Sequence, residues 1–271
     1  MSRPRRHYAD CRYGQLHFVR AAPDMPTETP LVLLHQNPSS SLEYRYLIER
    51  MSLDRVVIAL DTPGSGMSDA PPGPVSAANY ALALADALEA IGTGGQVDLF
   101  GFHTGTMLAA ELAIARPAMV RRLVLTGIPF RPPHERTERL DKIHKVPPPD
   151  DSGASTFERL HWLWEFTVQK RHPDVPVERA ADIFIDRAKA LHRYWWPYDA
   201  VWRWPVEERL PLVTQPVLVL QPDELLRVHS IEAAALFPDA RVEELPSLNR
   251  AVFELEGGVD EFAAAMRRFL I

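Results

Sequence analysis

Gly101-Phe102-His103-Thr104-Gly105 constrains this chain more than any other segment, because it joins a strand-like stretch to a helix-like one with almost no chain between them. Residues 96–100 read as a short buried strand, and residues 107–115 read as an Ala/Leu-rich helix that Pro117 ends. A chain that passes from strand to helix within five residues turns sharply. Glycine on both sides of the turn removes the Cβ atoms that would collide as the two elements close on each other. His103 is thereby expected at a helix N-terminus and at the mouth of a pocket.

The remaining elements fit around that turn. Residues 8–20 alternate about Tyr13-Gly14 and read as an opening hairpin. Strand and helix signals then alternate as far as a strand at 121–126, the pattern of an α/β protein whose mostly parallel sheet carries helices on both faces. Beyond it Pro129, Pro132, Pro133, Pro147, Pro148 and Pro149 mark a stretch read as irregular, the entry to an insertion. Helical spacing returns at 156–172 and 177–194, and Glu207 to Pro211 lead back to the sheet. The expected division is a core at 1–130, an inserted helical, Trp-rich cap at 131–209, and the rest of the core at 210–271. All six tryptophans fall in the insertion. They either fill a thin subdomain core or roof an apolar pocket. Trp195, Trp196 and Tyr198, clustered around Pro197, are expected nearest a ligand.

With 271 residues and 46% hydrophobic content, there is material for one large α/β domain carrying an insertion. A net charge of −6 argues against nucleic acid or an anionic membrane as partner. The basic start, Arg3 to His7, has no apolar run behind it, and no stretch reaches the length of a membrane span. The expectation is a cytoplasmic protein acting on a small molecule, without cofactor or metal; the oligomeric state is left open. The single cysteine, Cys11, cannot form an internal disulfide.

Strand, sharp turn and helix around Gly-x-His-x-Gly have the frame of a nucleophile elbow, with histidine in the serine position. Two further segments carry the same resemblance. Leu31 to Leu34 precede His35-Gln36-Asn37-Pro38, similar to a strand and His-Gly-x-Pro loop. Residues 56–60 precede Asp61-Thr62-Pro63-Gly64-Ser65-Gly66-Met67-Ser68-Asp69, which matches Asp-x-Pro-Gly-x-Gly-x-Ser. On these landmarks the chain resembles the α/β-hydrolase superfamily, in the branch of haloalkane dehalogenases, epoxide hydrolases and meta-cleavage-product hydrolases. The resemblance implies an α/β-hydrolase fold: a mostly parallel eight-stranded sheet, helices on both faces, and an inserted helical cap. It also implies an oxyanion hole made by the backbone N–H groups of Asn37 and Thr104. The acid of the catalytic set is expected after the strand at 216–220, at Asp223 or Glu224. Gln36 stands where the family has glycine, and either adds a polar contact to the pocket or alters the loop.

The departures decide the chemistry. The last histidine of the chain is His229, and Arg250 occupies the place of the family's general base. A guanidinium stays protonated and accepts no proton. With His103 at the elbow as well, the usual serine triad is excluded twice. His103 can be a nucleophile, a general base or acid, or a relic. Asp61 either orients it or caps the Pro-Gly turn. His35 is a structural loop residue or a substrate contact. Arg250 either pairs with Asp223 or Glu224, or presents a cation to an anionic substrate. The leading expectation is an atypical hydrolase acting on an ester or C–C bond of a small apolar or aromatic carbonyl compound. The alternatives are a cofactor-free lyase, isomerase, decarboxylase or cyclase that uses His103 as acid and base, and a catalytically silent ligand binder.

Overall fold

The computed structural model describes residues 3–144 and 149–271. The chain opens with β1 (Arg5–Cys11), β2 (Gly14–Ala21) and β3 (Glu28–Leu34), then α1 (Arg45–Met51), β4 (Arg55–Leu60), α2 (Ala77–Ile91), β5 (Val97–Phe102), α3 (Thr104–Ala115) and β6 (Val120–Thr126). Among the described residues five α-helices follow before the sheet resumes: α4 (Pro133–His144), α5 (Ala154–Trp164), α6 (Val177–Ala188), α7 (Trp195–Arg203) and α8 (Val206–Arg209). The chain closes with β7 (Val217–Asp223), α9 (Arg227–Ala234), β8 (Ala240–Asn249) and α10 (Val259–Phe269).

The eight strands form one sheet in the order β1-β2-β4-β3-β5-β6-β7-β8. The expected hairpin is there, with β1 and β2 antiparallel about Tyr13-Gly14; β2 meets β4 antiparallel, and every other pairing is parallel. Each central strand is apolar on both faces because both are covered. Val32 and Leu34, Ile58 and Leu60, Leu123 and Leu125 pack toward α2, α3 and α9; Leu31 and Leu33, Val57 and Ala59, Leu218 and Leu220 pack toward α1 and α10. Successive side chains go to opposite sides, so each strand supplies both cores. Burial of each such leucine or valine contributes about 1.5–3 kcal/mol.

Two local expectations are corrected. The proline-marked stretch after β6 contains a regular helix, α4. Pro133 is its first residue, where a missing N–H costs nothing, and no proline interrupts it before Pro147; Pro147 and Pro148 lie outside the described residues. The helix expected over 177–194 stops at Ala188. Bonds of Lys189 N to Asp186 O and of Arg193 N to Ala190 O tighten the chain into turns before α7 begins. No helix among the described residues is long and apolar enough to cross a membrane.

Candidate active site

Adjacent parallel strands end at the same edge of a sheet, and ligand sites of open α/β sheets form there. His103 follows β5, Gly127 follows β6 and Glu224 follows β7, three neighbours in strand order. Residues distant in sequence therefore meet.

His103 has φ +48° and ψ −112°, and among the described residues it is the one non-glycine with positive φ. Such strain costs about 1–3 kcal/mol and persists only where surroundings over-determine it. Here the His103 N–H donates to Thr126 O at 2.9 Å, while its carbonyl accepts from Thr106 N at 2.9 Å and Thr106 Oγ1 at 2.6 Å. The flanking glycines are sterically required: a Cβ on Gly101 would lie 2.4 Å from Gly105 O, and one on Gly105 would lie 2.0 Å from Leu34 O.

The His103 ring presents Nε2 to Glu224 Oε2 at 3.0 Å. Glu224 is held in turn by Gln221 Nε2, which donates to Oε1 at 2.8 Å, and by Leu226 N, which donates to Oε2 at 3.0 Å. Burial raises the pKa of Glu224 most strongly as a single influence, but the hydrogen bond and charge of His103 together with the Leu226 and Gln221 donors outweigh it, and the carboxyl lies below its ordinary value. The carboxylate accepts the Nε2 proton, and when the ring is neutral Nδ1 keeps the lone pair. Gln221, wholly buried, also accepts from Gly127 N at 3.2 Å and so ties the β6 and β7 ends together. Sequence reading passed over Gln221, although a polar residue ending the apolar run of β7 was the available signal.

Of the two acids expected after β7, Glu224 meets His103; Asp223 is exposed at the strand end. Asp61 does not orient His103. It accepts from Ser41 N at 2.7 Å and Met67 N at 3.0 Å, and its remaining partner is His17 Nδ1 at 2.8 Å. Burial raises its pKa, but the His17 bond, the neighbouring His35 and His17 rings and the Met67 amide lower it further than burial lifts it. The fixed turn consumes this acid. His17, missed in the sequence, belongs to that structural pair, because its strand β2 lies beside β4.

His35 is also structural. Its Nδ1 donates to Gln36 O at 2.6 Å and its Nε2 accepts from Thr62 N at 3.0 Å, so both ring nitrogens are committed inside the protein. The Gln36 side chain donates to buried Glu43. Asn37 is clasped by the insertion: its Nδ2 donates to Tyr194 O at 2.6 Å, and the Tyr198 hydroxyl donates to Asn37 O. Burial pushes Tyr198 up to about 12, which keeps that hydroxyl a donor. Thr104 is the first residue of α3, so its amide has no intrahelical acceptor.

Asn37, His103, Trp162, Tyr198 and Leu225 each border two hollows, one of about 290 Å³ and one of about 360 Å³. Thr104 borders the larger. Trp195 and Trp196 line neither and pack against each other, ring centroids 6.2 Å apart. The face of α7 that meets the larger hollow carries Tyr198, Val201 and Trp202. At roughly 100° per residue, Trp196 lies about half a turn away from that face and Trp195 falls at its flank. Arg250 makes no ion pair with Asp223 or Glu224 among the described residues; its guanidinium lies 4.9 Å over the Phe166 ring and borders the smaller hollow. A separate hollow of about 400 Å³ near Ser76 is bordered by the Arg209–Glu111 pair and lies away from His103.

A family model described as the alpha/beta hydrolase fold matches residues 29–175. The chain is 30% identical over 150 residues to 2-(acetamidomethylene)succinate hydrolase of Mesorhizobium japonicum, a match covering 55% of this chain and 51% of that protein. It is 33% identical over 104 residues to human epoxide hydrolase 4, covering 36% of this chain and 28% of the relative. The chain thus spans about half, or less, of the length of these two relatives. Among solved structures, the enol-lactonase of Burkholderia xenovorans superposes with a TM-score of 0.75 at 18% identity, over 97% of this chain and 99% of that one.

Proposed function

Because this chain belongs to the α/β-hydrolase fold family of enzymes, we propose that it hydrolyses an ester of a small carbonyl compound with an apolar or aromatic body, using His103 as general base. The observation that carries this reading is the 3.0 Å contact between His103 Nε2 and Glu224 Oε2. In the family pattern the acid orients a histidine from the C-terminal loop; here the acid after β7 meets a histidine at the elbow, and Arg250 stands in that loop. One acid and one base are therefore joined directly, with no serine beyond the base to take up the acyl group.

With Nε2 bonded to Glu224, Nδ1 takes a proton from a water molecule as the water oxygen attacks the carbonyl carbon. The oxyanion receives the N–H groups of Asn37 and Thr104; one such donor is commonly worth roughly 10² to 10³ in rate. Collapse of the tetrahedral adduct breaks the bond to the alcohol oxygen, and the Nδ1 proton passes to that leaving group. Ester and water become acid and alcohol, and the enzyme returns to its starting state. Glu224 stabilises the imidazolium formed between the two steps, and the strained backbone at His103 holds the ring in place for both. The helices inserted between β6 and β7 act as a cap whose Trp162 and Phe166 roof the hollow.

The test is turnover of a panel of p-nitrophenyl esters in ¹⁸O-labelled water, read by mass spectrometry beside His103→Ala. Label in the carboxylic acid, lost with His103, supports the reading. Turnover without solvent oxygen in the product moves the assignment to a cofactor-free lyase or isomerase, and turnover unchanged in His103→Ala removes His103 from the mechanism.

A further inference from the structure

The protein carries a net charge of −6, yet cations gather around His103. The larger hollow is bordered by Arg131, Arg139 and Lys142, with no acidic residue among those that line it. Arg131 Nη1 pairs with Glu135 at 2.9 Å, but its Nε is buried without a partner. Arg139 lies 5.1 Å over the Trp202 ring, and burial followed by the charge of Arg131 lowers its pKa. Two guanidiniums and an ammonium thus border a hollow that no carboxylate lines, although Glu135 and Glu138 lie near Arg139 outside that lining.

The smaller hollow is bordered by Arg187 and Arg250. The Arg187 side chain is 7% exposed. Its Nη1 donates to Thr167 Oγ1 at 3.2 Å, its Nη2 stands 3.8 Å from Glu254 Oε1, and its Nε is buried without a partner. A buried charged donor left unsatisfied is costly and calls for an acceptor. Arg250, stacked on Phe166, offers a second guanidinium to the same space, while the other acid there, Glu224, is taken up by His103. His103 and Tyr198 line both hollows, so a molecule that reaches from one into the other lies against His103.

We propose that the substrate is a dicarboxylate derivative, one carboxylate held by Arg187 and Arg250 and the other by Arg131, Arg139 and Lys142, with its reacting carbonyl between them at His103. The inference rests on the hydrolytic reading for the reacting carbonyl alone; the two anion sites stand on their own geometry. Paired charge-assisted contacts at both ends fix the molecule lengthwise, which is what a single acid–base residue needs in order to act on one bond. The apolar and aromatic walls between them receive the carbon chain.

The test is calorimetric binding of succinate, adipate and suberate, each beside the monocarboxylate of equal chain length. The expected result is that at least one dicarboxylate binds tenfold or more tighter than its monocarboxylate, and that Arg250→Met and Arg139→Met each reduce it to the monocarboxylate's affinity. Arg187→Met, being buried, is scored only if its thermal unfolding matches the wild type; Arg250 is exposed and Arg139 half-buried, and they carry the test without it. Equal affinity within every pair overturns the proposal, as does retention of tight binding in either the Arg250 or the Arg139 variant. Tight dicarboxylate binding without hydrolysis of any ester overturns the hydrolytic reading instead. Brisk hydrolysis of uncharged esters, indifferent to both arginine variants, overturns this proposal alone.

Discussion

A methyl group on Gly127 would lie 2.1 Å from His103 Cδ2 and 2.6 Å from its Nε2: the imidazole reaches Glu224 through the space that this glycine leaves empty. Gly127 also has φ +72°, which disfavours any side chain there. Gly127→Ala is expected to push the ring off Glu224 and lower turnover by about 10²-fold, since a misplacement near 1 Å can cost that much. Kinetics and a crystal structure of the variant check this; full activity with the ring undisplaced would contradict it.

His103→Ala is expected to lower the rate by roughly 10² or more, and to lower the melting temperature as well, because it leaves the buried Glu224 carboxylate without its imidazole partner. Relief of the backbone strain does not favour alanine, which tolerates positive φ no better. His103→Ser rebuilds the family motif but is expected to stay inactive, because Arg250 cannot take the serine proton. Turnover of both variants on one ester is the measurement.

Fluorophosphonate probes are expected to leave the protein unlabelled. Ser40 Oγ donates to Asp186 at 2.6 Å, Ser65 Oγ accepts from Thr62 Oγ1 at 3.2 Å, and no described serine lies beside His103 among the residues bordering its hollows. Intact-mass spectra with a stoichiometric adduct on serine would sink the elbow assignment.

The pH dependence of stability follows from two carboxylates. Glu224 and Asp61 both titrate below their ordinary values in the folded protein. A depressed folded pKa contributes stability that is complete above the unfolded value, about 4, and lost as pH falls through it toward the folded one. Urea midpoints measured from neutral pH down to about pH 3 are expected to drop across this window. In Glu224→Gln the drop is expected to be shallower; an acid limb identical to wild type would remove Glu224 from the linkage.

Asp61→Asn is expected to cost roughly 1–3 kcal/mol of stability while leaving the rate per folded molecule within tenfold. Asp61 joins His17 to the Ser41 and Met67 amides, and a Cβ on Gly66 would lie 2.1 Å from its Oδ2, so the whole turn is packed on this carboxylate. Denaturation curves paired with active-site titration separate the two effects.

What the sequence by itself determined was local: glycines that permit one sharp turn at 101–105, apolar runs that make strands buried on both faces, and the loss of both serine and terminal histidine. These are legible because steric allowance and periodicity are properties of short segments. The proline stretch misled because proline breaks a helix only from inside it, and Pro133 stands at the start of α4. Tertiary structure alone decided the partners. Glu224 over Asp223 depends on which side chain of a turning strand end faces β5 across β6, and Asp61 went to His17 because β2 lies beside β4. The cations around His103 come from three separate stretches of chain, at 131–142, 187 and 250, so no spacing along the sequence could bring them together. Their convergence is set by the order of strands in the sheet and by where α4 and α6 lie over its edge.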